Sequence, residues 1–80
     1  MTRAEFAVSE VKKQLPVAGM EIGLLITDAF RAHRSGPWSR SDFSEVFRLL
    51  YADPEVDREK QGRYLMWVLI EPDETEEERT

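Results

Sequence analysis

Residues Ser35 to Tyr51 run Ser-Gly-Pro-Trp-Ser-Arg-Ser-Asp-Phe-Ser-Glu-Val-Phe-Arg-Leu-Leu-Tyr, and they divide at the serines into a turn and an amphipathic segment. Phe43, Val46, Phe47, Leu50 and Tyr51 fall at i, i+3, i+4, i+7 and i+8, one stripe of a 3.6-residue period that fits no two-residue period. Gly36 is suited to end a helix arriving from the N-terminal side, and Pro37 cannot continue one. Trp38 offers a large apolar anchor in the turn. Ser39 or Ser41 can cap the new helix, with Asp42 adding negative charge to its first turn. The expectation is helix, turn, helix, with Ser41, Asp42, Ser44, Glu45 and Arg48 on the outward face.

Upstream, Thr2-Arg3-Ala4-Glu5 has the capping-box spacing, so a first helix is expected to start there. Its stripe is Ala4, Val8, Val11 and Leu15, with Arg3, Glu10, Lys12 and Lys13 toward water, and Pro16 takes Leu15 out of helical geometry. Phe6 lies off the stripe and is expected to be partly buried against a neighbouring element, as large apolar side chains usually are. After a short connection over Pro16 to Gly19, a second helix runs from about Met20 to His33. Ile22, Leu25, Ile26, Ala29, Phe30 and His33 share its inner face and Leu24 broadens it, which makes it the most buried helix. Gly23 costs roughly 1 kcal/mol relative to Ala and implies either close helix packing or a later helix start. Arg31 and Arg34 place positive charge at its C-terminal end.

Downstream, Asp53-Pro54-Glu55 stops the third helix near Ala52, either as a simple exit or with Asp53 capping a short new helix. Arg63 to Ile70 is a continuous apolar run rich in aromatic and β-branched residues, bounded by Gly62 and Pro72, and is expected to be a strand. In the preferred reading Val56 to Lys60 pairs with it across a Gln61-Gly62 turn, giving a hairpin with a polar outer strand. The rival is a helix over residues 54–61 followed by a lone strand, which must find a partner such as a second copy of the chain. Tyr64, Met66, Val68 and Ile70 on one strand face, and Leu65, Trp67 and Leu69 on the other, leave both faces needing cover.

Composition bounds the function. The 80 residues make one small domain, assigned to residues 1–70, and a chain of this size is expected to hold no deep enzyme pocket. The longest apolar run, Leu65 to Ile70, is far too short to span a bilayer. Cysteine is absent, which removes disulfides, thiolate nucleophiles and cysteine zinc sites, and the N-terminus carries Glu5 and no apolar signal-peptide core, so a cytoplasmic location is expected. The net charge of −5 is concentrated at one end: residues 71–80 hold six acids and one base, while residues 1–70 hold ten of each. An acidic, disordered tail on a neutral body is the expectation for 71–80.

No catalytic, metal or nucleotide motif is present. His33 is the only histidine, and no nucleophile or orienting acid is set in sequence around it. Ser39, Ser41 and Ser44 lack the strand and glycine context of a nucleophile elbow, and the glycines at 19, 23, 36 and 62 form no phosphate-binding fingerprint. The chain is therefore expected to be a non-enzyme without cofactor, metal or small-molecule substrate.

The element order does suggest a binding role. Three helices followed by a C-terminal β-hairpin or single strand, with a glycine-containing turn between the second and third helices, is an α+β, mainly α arrangement like that of a winged helix-turn-helix module. In that arrangement Arg40, Ser41, Ser44, Glu45 and Arg48 can face base edges, while Arg31, Arg34, Arg58, Lys60 and Arg63 can meet phosphates. The nucleic-acid candidates are Arg40, Ser41, Ser44, Arg48, Arg58, Lys60 and Arg63. Against this stand Asp42 and Glu45, which repel phosphates, and the balance of seven bases to six acids within residues 31–63. Ordinary solvated helix faces account for many such charges. The alternative is a protein-binding adaptor or inhibitor, for example of a nucleic-acid enzyme, acting through Trp38, Tyr64 and Trp67 and through acidic surface. DNA or a protein is thus the expected partner, with a homodimer as the expected assembly and a regulatory role in either case.

Overall fold

A computed structural model describes residues 1–70, so the expected acidic tail, 71–80, lies outside the described residues. The element order is α1 (Arg3–Gln14), β1 (Val17–Ala18), a single 3₁₀ turn (Gly19–Glu21), α2 (Ile22–His33), α3 (Arg40–Ala52), β2 (Val56–Gln61) and β3 (Tyr64–Leu69). The three strands form one antiparallel sheet in the order β1-β3-β2. This is an α+β fold dominated by helix, with the hairpin at its C-terminal end. Among the described residues no helix is long and apolar enough to cross a membrane.

Helices α1 and α3 begin where local capping chemistry directs. At α1 the Thr2 hydroxyl accepts from the Glu5 amide at 3.1 Å while the Glu5 carboxylate accepts from the Thr2 amide at 2.8 Å, so two otherwise orphaned donors are satisfied reciprocally. At α3 the Asp42 carboxylate accepts from the Ser39 amide at 2.7 Å. The end of α2 is different from expectation. Arg34, with φ of 59°, is the left-handed residue that closes the helix, while Gly36 at φ 100° bends the chain two residues later. After α3 the chain leaves in extended geometry at Asp53, whose carboxylate accepts from the Glu55 amide at 2.8 Å, so the simple exit holds and no new helix forms.

The core is made by Ala7 and Val11 of α1, Ile22, Ile26, Ala29 and Phe30 of α2, Val46 and Leu50 of α3, and Val56 and Trp67 of the hairpin. The expected stripe on α1 is shifted: Ala7 is fully buried, whereas Ala4, Val8 and Leu15 only flank the core. Phe6 is half-buried, its ring centroid 5.1 Å from that of His33, as its size led one to expect. Leu24 is 68% exposed and adds nothing to the buried face of α2. Gly23 sits in the first turn of α2 with open space around its Cα, so a late helix start, and not close packing, explains it.

Two cations on α1 that were expected to face water instead tie this helix to both ends of α3. Arg3 donates to the Gly36 and Pro37 carbonyls at 3.2 and 2.8 Å and lies 3.5 Å from the Asp42 carboxylate. Lys12 donates to Asp53 at 2.9 Å and Glu55 at 2.7 Å. The Glu55 carboxylate raises the Lys12 pKa above its ordinary value, burial opposes this, and Asp53 adds to the rise. Burial works against the Asp53 charge, but the Glu55 amide and the Lys12 ammonium outweigh it and hold its carboxyl below the ordinary 3.8.

The hairpin is the preferred one, with its turn displaced by one residue. Gln61 still pairs with Tyr64, so the two-residue loop is Gly62-Arg63, with Gly62 at φ 63° in the first loop position, where a II′ turn requires glycine. Strand β1 was not foreseen. Val17 and Ala18 pair with Trp67 and Met66 and so cover the far edge of β3. Gly19 follows immediately, and a Cβ there would meet the Trp67 indole nitrogen at 3.0 Å and the Leu65 carbonyl at 3.2 Å.

The two glycines lead to opposite expectations. Gly19→Ala must displace Trp67 or the β3 backbone and should cost about 1–3 kcal/mol, whereas Gly23→Ala, with room for its methyl, should stabilise by about 0.5 kcal/mol; urea unfolding of both variants checks the signs. The Lys12 ion pairs lead to a pH dependence. Asp53, with its pKa lowered on folding, contributes stability that is present above 3.8 and lost as pH falls through the folded value. Lys12, with its pKa raised, contributes stability that is present below 10.5 and lost as pH rises through the folded value. Lys12→Met should therefore lower stability at neutral pH by about 1 kcal/mol and flatten both limbs of a urea-midpoint against pH profile.

Candidate nucleic-acid interface

Seven residues were expected to face nucleic acid, and the fold distributes them over α3 and the hairpin. On α3, Arg40, Ser41, Ser44 and Arg48 are all exposed. Arg40 and Ser44 continue, at helical spacing, the stripe that ends in Phe47 and Tyr51. That stripe leads to the hairpin, because the Phe47 and Tyr51 rings lie 6.1 and 5.3 Å from that of Trp67. Arg48 sits beside it and is engaged by Glu45, its Nε donating to a carboxylate oxygen at 3.1 Å; this hydrogen bond holds the Glu45 carboxyl below its ordinary pKa. Both groups are on the surface, so the pair is worth little to stability.

In the hairpin, strand alternation sorts charge. Val56, Arg58 and Lys60 share the side facing α3, and Asp57 and Glu59 take the other. The Arg58 guanidinium carbon is 4.6 Å from the Tyr51 ring centroid and 5.2 Å from that of Trp67, a cation held between an α3 aromatic and a β3 aromatic. Its Nη1 is buried without a hydrogen-bond partner among the described residues. Lys60 and Arg63 are exposed toward the hairpin tip.

The carboxylates that argued against phosphate binding are largely engaged. Asp42 serves the α3 cap and Arg3, Glu45 serves Arg48, and Asp53 and Glu55 serve Lys12. Among the described residues, the side-chain cations with no carboxylate partner are Arg34, Arg40, Arg58, Lys60 and Arg63. Four of these five are sequence-expected site residues on α3 or the hairpin.

The aromatic candidates fare differently. Trp67, expected at a protein interface, is only 3% exposed, and the expectation is corrected: its ring is held against Phe47, Tyr51 and Arg58 and is not available to a partner. Trp38 is half-buried, its ring 5.5 Å from Phe30, and anchors the turn before α3. Tyr64 is exposed. Tyr51, which periodicity placed in the core stripe, is 58% exposed. Nothing in the sequence singled it out, because its position at the end of the stripe becomes distinctive only when the hairpin folds beside it.

No group of three or more His, Asp or Glu side chains capable of holding a metal occurs among the described residues. In comparisons with protein families, with curated proteins and with solved structures, the chain has no match.

The burial difference separates two tyrosine and tryptophan variants. Trp67→Ala should cost about 3–5 kcal/mol of stability, whereas Tyr64→Ala should stay within about 0.5 kcal/mol of the parent; chemical denaturation followed by circular dichroism measures both.

Proposed function

We propose that this chain is a small non-enzymatic regulatory module of winged helix-turn-helix type that binds duplex DNA through α3 and the β2–β3 hairpin. The observation that carries the reading is the sorting of charge: the unpaired cations Arg40, Arg58, Lys60 and Arg63 lie on α3 and the hairpin, while the nearby carboxylates are engaged by other partners or face away. The element order supports it too, since three helices followed by a hairpin, with a glycine-containing turn between the second and third helices, is like that of such a module.

In this reading the N-terminal half of α3 enters the major groove. Arg40 is suited to a bidentate contact with guanine, and Ser41 and Ser44 to either a base edge or a phosphate. Lys60 and Arg63 at the hairpin tip neutralise backbone phosphates. Arg58 supports them by fixing the hairpin against Tyr51. A homodimer would set two such helices on half-sites about one helical turn apart, and a cytoplasmic chain would meet its DNA there.

A second reading has its own observation. Met20, Tyr51, Tyr64 and Leu65 are large exposed apolar side chains, and with Phe47 and Arg63 they line a groove of about 320 Å³ between the 3₁₀ turn, α3 and the hairpin. Apolar surface of this kind suits a protein partner.

Titration of the full chain with mixed-sequence duplex at two salt concentrations tests the first reading. Binding should weaken steeply with salt, by a slope of about −0.9 for each phosphate contacted. Lys60→Ala and Arg63→Ala should each weaken binding to all sequences and reduce that slope by about 1, while Arg40→Ala should relax preference at one base position by about 1–3 kcal/mol. No binding at low salt would rule the reading out.

A further inference from the structure

The groove between the 3₁₀ turn, α3 and the hairpin has polar features that apolar surface alone does not explain. We propose that it binds a small carboxylate that carries an aromatic ring, the ring packing on the apolar walls and the carboxylate meeting the Trp67 indole N–H and the Arg63 guanidinium.

The indole N–H comes first. Trp67 is only 3% exposed and its ring is packed against Phe47, Tyr51 and Arg58, yet one edge of it belongs to the lining of the groove. Gly19 lines the groove beside it, and a Cβ there would lie 3.0 Å from the indole nitrogen and 3.3 Å from Cδ1, so the missing side chain leaves the N–H edge uncovered. A tryptophan nitrogen is a donor only and usually finds a partner when its ring is buried. This one donates to no group among the described residues. Nor is it sealed: among the described residues, the side-chain atoms both sealed and unpartnered are His33 Nδ1 and Arg58 Nη1, so the indole donor stays open to an acceptor that enters the groove.

Charge and size select the ligand. Arg63 lines the same groove without a carboxylate partner among the described residues, and no Asp or Glu side chain of those residues lines it too. Arg58, stacked on Tyr51 and Trp67, adds positive charge behind the wall. One lining guanidinium and one neutral N–H match the two oxygens of a singly charged carboxylate better than a doubly charged phosphate. Tyr51, Tyr64 and Phe47 offer ring faces and edges to an aromatic group, with Met20 and Leu65 completing the apolar wall. The volume of about 320 Å³ stands at the small end of ligand sites, about 300–1,000 Å³, which suits one ring on a short acid arm. Arg63 is assigned above to a backbone phosphate and cannot serve both, so the ligand would weaken duplex binding; this consequence rests on the DNA-binding reading, whereas the site does not.

The test titrates 3-phenylpropionate into the ¹⁵N-labelled full chain. Its two tryptophans give two indole resonances in ¹H–¹⁵N spectra, and that of Trp67 is assigned by its NOE to Gly19. The Trp67 resonance should move downfield and saturate, while that of Trp38, packed on Phe30, stays in place. Arg63→Ala, at an exposed turn position, should weaken the probe by about tenfold, and 3-phenylpropan-1-ol should bind about tenfold more weakly than the acid. A Trp67 resonance unmoved up to the probe's solubility, or equal binding of acid and alcohol, would overturn the site. Tighter binding of phenyl phosphate would overturn the choice of carboxylate. Movement of the groove's resonances on raising protein concentration with no probe present would give the groove to a second copy of the chain and overturn the proposal as well. Duplex affinity unchanged at saturating probe would overturn the competition, and saturable probe binding with no duplex binding at any salt would uphold the site and remove the DNA-binding reading.

Discussion

The hairpin is fastened to the helices through Trp67, and most of what makes this fold more than a three-helix cluster depends on that side chain. It is the buried residue of β3, and β2 adds only Val56 to the core. Around the indole the chain converges from four directions: Phe47 and Tyr51 of α3, Arg58 of β2, Val17 of β1 as backbone partner, and Gly19, where the absence of a side chain leaves room for the ring. A three-stranded sheet of this size has little stability alone, and packing against a helix is what allows it to persist. The angle between α3 and the hairpin, and so the shape of the face they form, is set by the same contact.

The first helix fixes the other coordinate. Arg3 holds the turn before α3 and Lys12 holds the turn after it, so the length of α3 is tied to α1 at both ends by groups of opposite charge. Such pairs contribute little when fully exposed, but here Arg3, Lys12 and Asp53 are largely covered, and Arg3 also satisfies two backbone carbonyls that the bent turn leaves open. These contacts also alter what the surface presents. Carboxylates engaged by α1 or by the α3 cap no longer repel an anion as free groups would, and a chain whose formal charges cancel over residues 1–70 still has a cationic side. A count of charges along a sequence carries no information about this, because it treats paired and unpaired groups alike.

Capping, periodicity and turn chemistry act over a few residues, and the sequence by itself therefore determined the helix start at Thr2, the stripe on α3 and the end of that helix near Ala52, while the choice of Ser39 over Ser41 as cap, of the simple exit at Asp53 and of the hairpin over a helix with a lone strand was made by the tertiary structure. The β1 strand escaped because two residues between a proline and a glycine have no period to detect, and its hydrogen bonds go to a segment about fifty residues away. The burial of Ala7, the exposure of Leu24 and Tyr51, and the inward commitment of Trp67 likewise follow from where neighbouring elements dock. The candidate site divides in the same way. Which side chains stand on the outward face of α3 was legible from helical spacing, but whether each cation was free was not. That depended on Arg3 and Lys12 reaching across from α1 and on Arg58 finding two rings, and such choices among partners are made only when distant segments are brought together.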